Sequence, residues 1–268
     1  EKASLSRGEN VLDLWITSSL ESLKESVINA MDDYDLQKAV RPFVLFVDNL
    51  TNWYIRRSRR RFWKSQDDGD KNHAYTTLYH VMLELSKIAA PFAPFISEMV
   101  YRNLRAQDMP ESVHLCDFPE PDETVRDHDL EERMDQVAIT VRLGRLLRSE
   151  NNLKVRQPLS KLHVVSLNSH ILENIKAFKD IVMDELNVKE VDFSGNEAEH
   201  VVFRAKADFR KLGPRFGSNV KRVASAISQM SSDEIHRLAM GEMIHMEADE
   251  ISFDLDRDCV VIERSPRE

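Results

Sequence analysis

Apolar residues recur at helical spacing through the first half of the chain. Leu20, Leu23, Val27 and Met31 step by three and four, which predicts an amphipathic helix over residues 10 to 31. Asp32-Asp33 breaks the pattern, and Asp35 can cap the helix that follows. That helix carries Leu36, Val40, Phe43, Val47, Leu50 and Tyr54 as its expected buried stripe. Pro42 falls in its first turns and predicts a kink or a restart, since proline removes a donor and crowds the preceding turn. SQDDGDKN, residues 65 to 72, is expected to be a polar loop. Residues 74 to 89 are helical again, with Leu78, Met82, Leu85 and Ala89 inward. APFAP, residues 90 to 94, breaks that helix because each proline restricts the residue before it. A helix follows from Phe95 to about Arg105. Residues 106 to 129 hold three prolines and many acids, and form an ordered loop over the bundle. A long helix from Leu130 to Ser149 closes the region, with Met134, Val137, Val141 and Leu147 as core candidates.

After Pro158 the pattern changes. Residues 162 to 166, 188 to 193 and 201 to 205 have strand character, and 171 to 186 is helical. Two short helices are expected at 219 to 230 and 233 to 239. Ile251 to Leu255 and Cys259 to Ile262 alternate around Asp256-Arg257-Asp258, a hairpin pattern. The predicted architecture is an α-helical bundle over residues 1 to 157, followed by a small α/β domain over 158 to 268.

Composition narrows the function. The 268 residues are 42% hydrophobic and 31% charged, an ordinary soluble mixture with no apolar run long enough to span a membrane. No signal peptide is visible, and the first residue is not Met, so the expectation is a segment of a longer protein. Seven glycines form no phosphate-binding cluster, which leaves no P-loop or dinucleotide fingerprint. Cys116 and Cys259 lie too far apart for a zinc motif and are expected to be reduced thiols in a cytosolic protein. A net charge of −9 argues against a nucleic-acid partner taken alone, but local fields can oppose the global sign.

One segment does so. TNWYIRRSRRRFWK, residues 51 to 64, holds Arg56, Arg57, Arg59, Arg60, Arg61 and Lys64 with no acid, among Trp53, Tyr54, Phe62 and Trp63. Continuing the helical stripe brings Ser58 and Phe62 inward and puts Arg57 and Arg61 at the border. Arg56, Arg59, Arg60 and Lys64 then project outward. Guanidinium forks suit phosphate oxygens, and aromatic rings beside them can stack on unpaired bases. Stacking would come from Trp53 or Trp63. Arginines on a bundle helix also pair with neighbouring acids, and tryptophans at this spacing are commonly core, so both readings stand. A second basic track runs through Arg142, Arg145, Arg148, Lys154 and Arg156 to Lys161. A third cluster, Lys211, Arg215, Lys221 and Arg222, surrounds Gly213-Pro214, which reads equally as a plain turn or as a turn before a helix whose N-terminus could accept a phosphate.

Several motifs, in order, resemble one family. TNWYIRRSRRRFW (residues 51 to 63) is similar to the signature of the anticodon-binding helical domain of isoleucyl-tRNA synthetases. Asn10-Val-Leu-Asp13 with Trp15, APFAPFISE (90 to 98), SVHLCDFPEP (112 to 121), LKVRQPLSKL (153 to 162), DELNVKEVDF (184 to 193) and LGPRFG (212 to 217) continue the resemblance over nearly the whole chain. Pro42 and LGPRFG resemble the eukaryote-like branch. Leu14 departs from the family, which usually has arginine there. Valyl enzymes share the helical domain and are the nearest alternative. The resemblance implies a fragment that holds the anticodon stem and loop of isoleucine tRNA beside the catalytic domain of the same chain, as a cytoplasmic monomer. It implies no catalytic residue, metal or cofactor in the fragment, and ATP-dependent ligation of isoleucine to tRNA in the parent enzyme. HIGH and KMSKS, the family's catalytic signatures, are absent here.

Two readings from other classes compete. One is a helical module that docks a protein partner. The other is a hydrolase built on Asp127-His128-Asp129 or on His73 and His80, though no nucleophile constellation accompanies them.

Overall fold

The side chain of Asn10 accepts a hydrogen bond from the Leu12 N–H and starts helix α1, Val11–Asp32. In the computed structural model, residues 10–64, 68–197, 200–248 and 251–266 are described. The chain divides into two compact units, Glu1–Asp135 and Gln136–Glu268.

In the first unit, α1 buries Leu20, Leu23 and Val27, as its spacing predicts, and Trp15 and Ile16 with them, while Met31 is half-buried. Asp35 caps α2 (Leu36–Asp48) by accepting from the Lys38 N–H at 2.9 Å. Of the stripe expected for α2 and its continuation, only Leu50 and Tyr54 are fully buried. The helix runs through Pro42 without restarting, and its buried face is Ala39 and Phe46, continued by Leu50. Leu36, Val40, Val44 and Val47 are exposed. This helix is apolar on two faces, so spacing alone does not choose between them.

A π-helical stretch, Asn49–Ile55, leads through Arg56 and Arg57 to α3 (Arg59–Lys64). Helix α4 is Asp68–Ala89, so residues 68 to 72 are helical rather than loop, and 65 to 67 lie outside the described residues. Its fully buried apolar residues are Ala74, Val81, Leu83 and Ile88, and the expected Leu78, Met82, Leu85 and Ala89 are half-buried. Proline at its first turn starts α5, Pro94–Leu104. The loop to α6 (His128–Glu150) is tied to α1 by hydrogen bonds from the Asp122 N–H to Glu21 (2.8 Å) and from the Asp127 N–H to Ser18 (2.7 Å). An Arg126–Glu25 ion pair at 2.5 Å adds to them. Met134, Val137 and Val141 of α6 are buried as expected, whereas Leu147 is exposed.

A buried ionic cluster joins α1 to α4. Lys24 lies 3.0 Å from Glu21 and 3.3 Å from Glu84, and Lys87 lies 2.8 Å from Glu84. Burial raises the Glu84 pKa, but hydrogen bonding to Lys87 and the nearby lysine charges outweigh it and leave it lowered. Burial is also the main influence on His80, and lowers its pKa from the ordinary 6.5. Both folded values lie below the unfolded ones, so each group contributes stability that is lost as the pH falls. Thermal melts should therefore show His80→Gln losing less stability than the parent chain as the pH drops below 6.5. Parallel losses would refute that role.

The second unit contains β1 (Leu162–Val165), α7 (Ser169–Ala177), α8 (Lys179–Leu186) and β2 (Val191–Ser194). Strands β1 and β2 pair in parallel from Leu162↔Val191 to Val165↔Ser194, with the helices as their crossover. The single helix expected over 171 to 186 is broken at Phe178. Next come β3 (Val201–Ala207), α9 (Phe209–Phe216), α10 (Val220–Ser228), α11 (Ser232–Ala239), β4 (Ile244–Ala248), β5 (Ile251–Leu255) and β6 (Val260–Pro266). The expected hairpin between 251–255 and 259–262 does not form. Strand β5 pairs with β4, and β6 pairs antiparallel with β3. Phe203, Leu212, Val223, Ile227, Leu238 and Leu255 fill the core between them. Gly213-Pro214 lies inside α9 rather than at a turn before a helix, so the expected phosphate-binding terminus is not formed there.

Candidate nucleic-acid interface

The arginine run is organised by the helix that delivers it. An α-helical turn takes about 3.6 residues, so positions four apart drift out of line by about 40° at each step. The wider turns of the π stretch reverse that drift. Phe46, Leu50, Tyr54, Ser58 and Phe62, each four apart, consequently all stay buried. Backbone bonds from the Ser58 N–H to Tyr54 (2.9 Å) and from the Phe62 N–H to Ser58 (3.1 Å) carry the helical path into α3. Arg56, Arg59 and Arg60 fall on the opposite, exposed side, as the sequence predicts.

Arg61 is the exception within the run. Its guanidinium grips Asp13 bidentately at 2.8 and 2.7 Å and reaches Asp70 through Nε at 2.9 Å. Its side chain is only 12% exposed. Burial opposes its charge, but the hydrogen bonds with Asp13 and Asp70 outweigh that and raise its pKa. Tyr54 adds its hydroxyl 2.8 Å from Asp13. Burial of that hydroxyl beside the Asp13 carboxylate lifts its pKa well above the ordinary value. The four side chains lock α1, α3 and the start of α4 together.

The outward arginines differ. Arg56 donates to the Asn52 carbonyl at 2.7 Å. Arg57 is half-buried, at the border of the stripe. Neither Arg59 nor Arg60 has an acidic partner among the described residues. The side chain of Lys64 lies outside those residues. The two stacking candidates separate. Trp53 is 9% exposed and belongs to the core, so it offers no face to a base, whereas Trp63 is 68% exposed. Sequence reasoning named both as stacking candidates but set only Trp53 among the RNA-binding residues. The signal was available, because Trp63 is four residues from Arg59 and next to inward-facing Phe62.

The second track also divides. Arg142, Lys154 and Arg156 are exposed. Arg145 is 45% exposed and pairs with buried Glu185. Arg148 is buried and donates to the carbonyls of Lys154, Gln157, Leu186 and Asn187. It is a clamp on the backbone, and its expected place on an RNA-facing surface is corrected. In the third cluster Lys211 is exposed. Arg215 is held by Asp256 at 2.6 Å and the Asp254 carbonyl at 3.0 Å, so its fork is largely engaged.

Asp127 caps α6 by accepting from the Leu130 N–H at 2.9 Å. Both cysteines are free. Among the described residues, no group of three His, Cys, Asp or Glu side chains is arranged to hold a metal, and no helix is long and apolar enough to cross a membrane.

Comparison with known proteins gives one family match, "Anticodon-binding domain of tRNA ligase", over residues 13–165. The isoleucine–tRNA ligase of Protochlamydia amoebophila is 45% identical over 260 residues, covering 97% of this chain and 25% of that protein. The same-named protein of Treponema denticola is 44% identical over 260 residues, 97% of this chain and 24% of its own length. That of Chlamydia pneumoniae is 43% identical over 251 residues, or 94% and 24%. The chain thus spans about a quarter of the length of these relatives.

Proposed function

We propose, from the premise that this chain belongs to the family of tRNA-ligase anticodon-binding domains, that it holds the anticodon stem and loop of an isoleucine tRNA. In this reading the parent protein is a cytoplasmic isoleucine–tRNA ligase. Its catalytic domain, elsewhere in the longer chain, uses ATP to join isoleucine to the acceptor end. The fragment itself, a monomer, performs no chemistry. The main RNA surface lies on the helical part, about residues 1 to 157, and the α/β part adds to it.

The observation that carries this reading is the sorting of one arginine run. Arg61 is engaged inside the protein, while Arg59 and Arg60 face solvent with no acidic partner among the described residues. Exposed arginines on a chain of net charge −9 make a local positive field that neutralises phosphates and releases counterions. Arg142, Arg145, Lys154 and Arg156 serve as the second track. The α2 face of Leu36, Val40, Val44 and Val47 instead favours a protein-docking reading for that helix.

Binding of the chain to isoleucine tRNA and to valine tRNA, at several salt concentrations, tests the proposal. The isoleucine tRNA should bind more tightly. The Arg59→Ala/Arg60→Ala double variant should flatten the log–log salt slope by about 1.4 to 1.8, since each lost phosphate contact removes roughly 0.7 to 0.9. Equal binding of both tRNAs with an unchanged slope would overturn it.

A further inference from the structure

We propose that Trp63, with Arg59 packed on it, is a stacking platform for one unpaired nucleobase of the bound RNA loop; this rests on the RNA-binding reading above. Of the three tryptophans, Trp15 is 2% exposed and Trp53 is 9% exposed, while Trp63 presents 68% of its surface to solvent. A large aromatic ring left in water forgoes the hydrophobic stabilisation its neighbours gain. Its exposure is nevertheless ordered. Phe62 meets the indole edge-on, with centroids 6.1 Å apart and planes at 83°. Phe62 is itself fixed in the core against Tyr54 (6.5 Å) and Tyr75 (5.1 Å). The Arg59 guanidinium carbon lies 5.6 Å from the indole centroid, in cation–π range. The platform is therefore propped from beneath and partly pre-organised, which lowers the ordering cost of binding.

The chemistry around the ring selects the occupant. Arg56, Arg59 and Arg60 lie on the same helical side as Trp63, with no acid in the run. An aromatic face among guanidiniums matches a nucleotide, whose base stacks while its phosphate meets the cations. Bases inside a duplex are already stacked on one another, so the ligand is a base in a single-stranded loop. Trp63 supplies no hydrogen-bond code on its face, so the platform tolerates base identity and positions the loop more than it reads it.

The test uses the 268-residue chain and a hairpin RNA carrying the anticodon stem and loop of isoleucine tRNA. Trp63→Ala should weaken binding by about 5- to 150-fold, the range for losing one base stack, without changing the salt slope, because the indole is uncharged. Trp63→Phe should keep much of the affinity. An abasic substitution at one loop position should reproduce the loss and add nothing to it in the alanine variant. Since Trp15 and Trp53 are buried, acrylamide quenching of tryptophan fluorescence reports mainly on Trp63, and RNA should shield it. The alanine variant should melt with the parent, because an exposed side chain is removed. If salt-dependent RNA binding persists with Trp63→Ala equal to the parent, the platform is overturned and the RNA-binding reading stands. If the parent binds no RNA, or binds only a protein on this face, both fall.

Discussion

Arg61→Ala is expected to destabilise the first unit by about 3–5 kcal/mol, the usual cost of leaving one partner of a buried ion pair alone. Asp13 is 3% exposed, and without Arg61 its carboxylate retains only the Tyr54 hydroxyl at 2.8 Å among these partners. Asp70 loses its Arg61 contacts as well. Arg61→Lys should rescue little, because one ammonium cannot reproduce a fork that meets two carboxylates at once. Urea titration followed by tryptophan fluorescence suits this variant, since Trp15, Trp53 and Trp63 all lie in the unit Glu1–Asp135. A loss under about 1 kcal/mol would place Arg61 with the surface arginines, whose ion pairs contribute that little. Under conditions where the variant stays folded, its salt slope for RNA should match the parent's, which separates Arg61 from Arg59 and Arg60.

Arg148→Ala should cost about 3–5 kcal/mol in the second unit, because each hydrogen bond to a charged group is worth about 1.5–3 kcal/mol and water only partly replaces them. Arg148 is 4% exposed and donates to four carbonyls, at 3.0 Å (Lys154), 3.0 Å (Gln157), 2.6 Å (Leu186) and 3.2 Å (Asn187). It fastens the end of α6, the segment after it and the end of α8. The unit Gln136–Glu268 holds no Trp or Tyr, so circular dichroism rather than tryptophan fluorescence should follow the loss. Hydrogen exchange at residues 153 to 157 should rise. Unchanged exchange there would mean that the segment is held by other contacts. Lys154 and Arg156 sit on this segment, so the variant should also weaken RNA binding if the second track is used.

The two arginines show where a sequence stops being legible. Arg59, Arg60 and Arg61 are consecutive and chemically alike. Helical spacing puts Arg61 at the border, which is as far as periodicity reaches. Its role is set by Asp13, 48 residues earlier, and Asp70, nine later. Arg148 fits the three-residue step of Arg142 and Arg145, yet its partners are backbone carbonyls that no side-chain pattern records. The same holds for apolar residues. Helix α2 offers two apolar stripes, and only its neighbours decide that Phe46 is buried while Val40 and Val47 are exposed. Strand β6 looked like the return arm of a hairpin, but its pairing is with β3, some 60 residues away in register from Val201↔Pro266 to Ala207↔Val260.

Local chemistry by itself determined the helical first half with its Asp35 cap, the proline break before α5, the strand-bearing second half, and the family, through motifs kept in order along the chain. These depend on contacts between residues close in sequence, or on residue identity alone. Tertiary structure decided which arginines face water, that Trp63 and not Trp53 is exposed, and which strands pair. Burial and long-range pairing depend on what another segment brings alongside. A helical or strand period specifies a face, but not the partner that covers it.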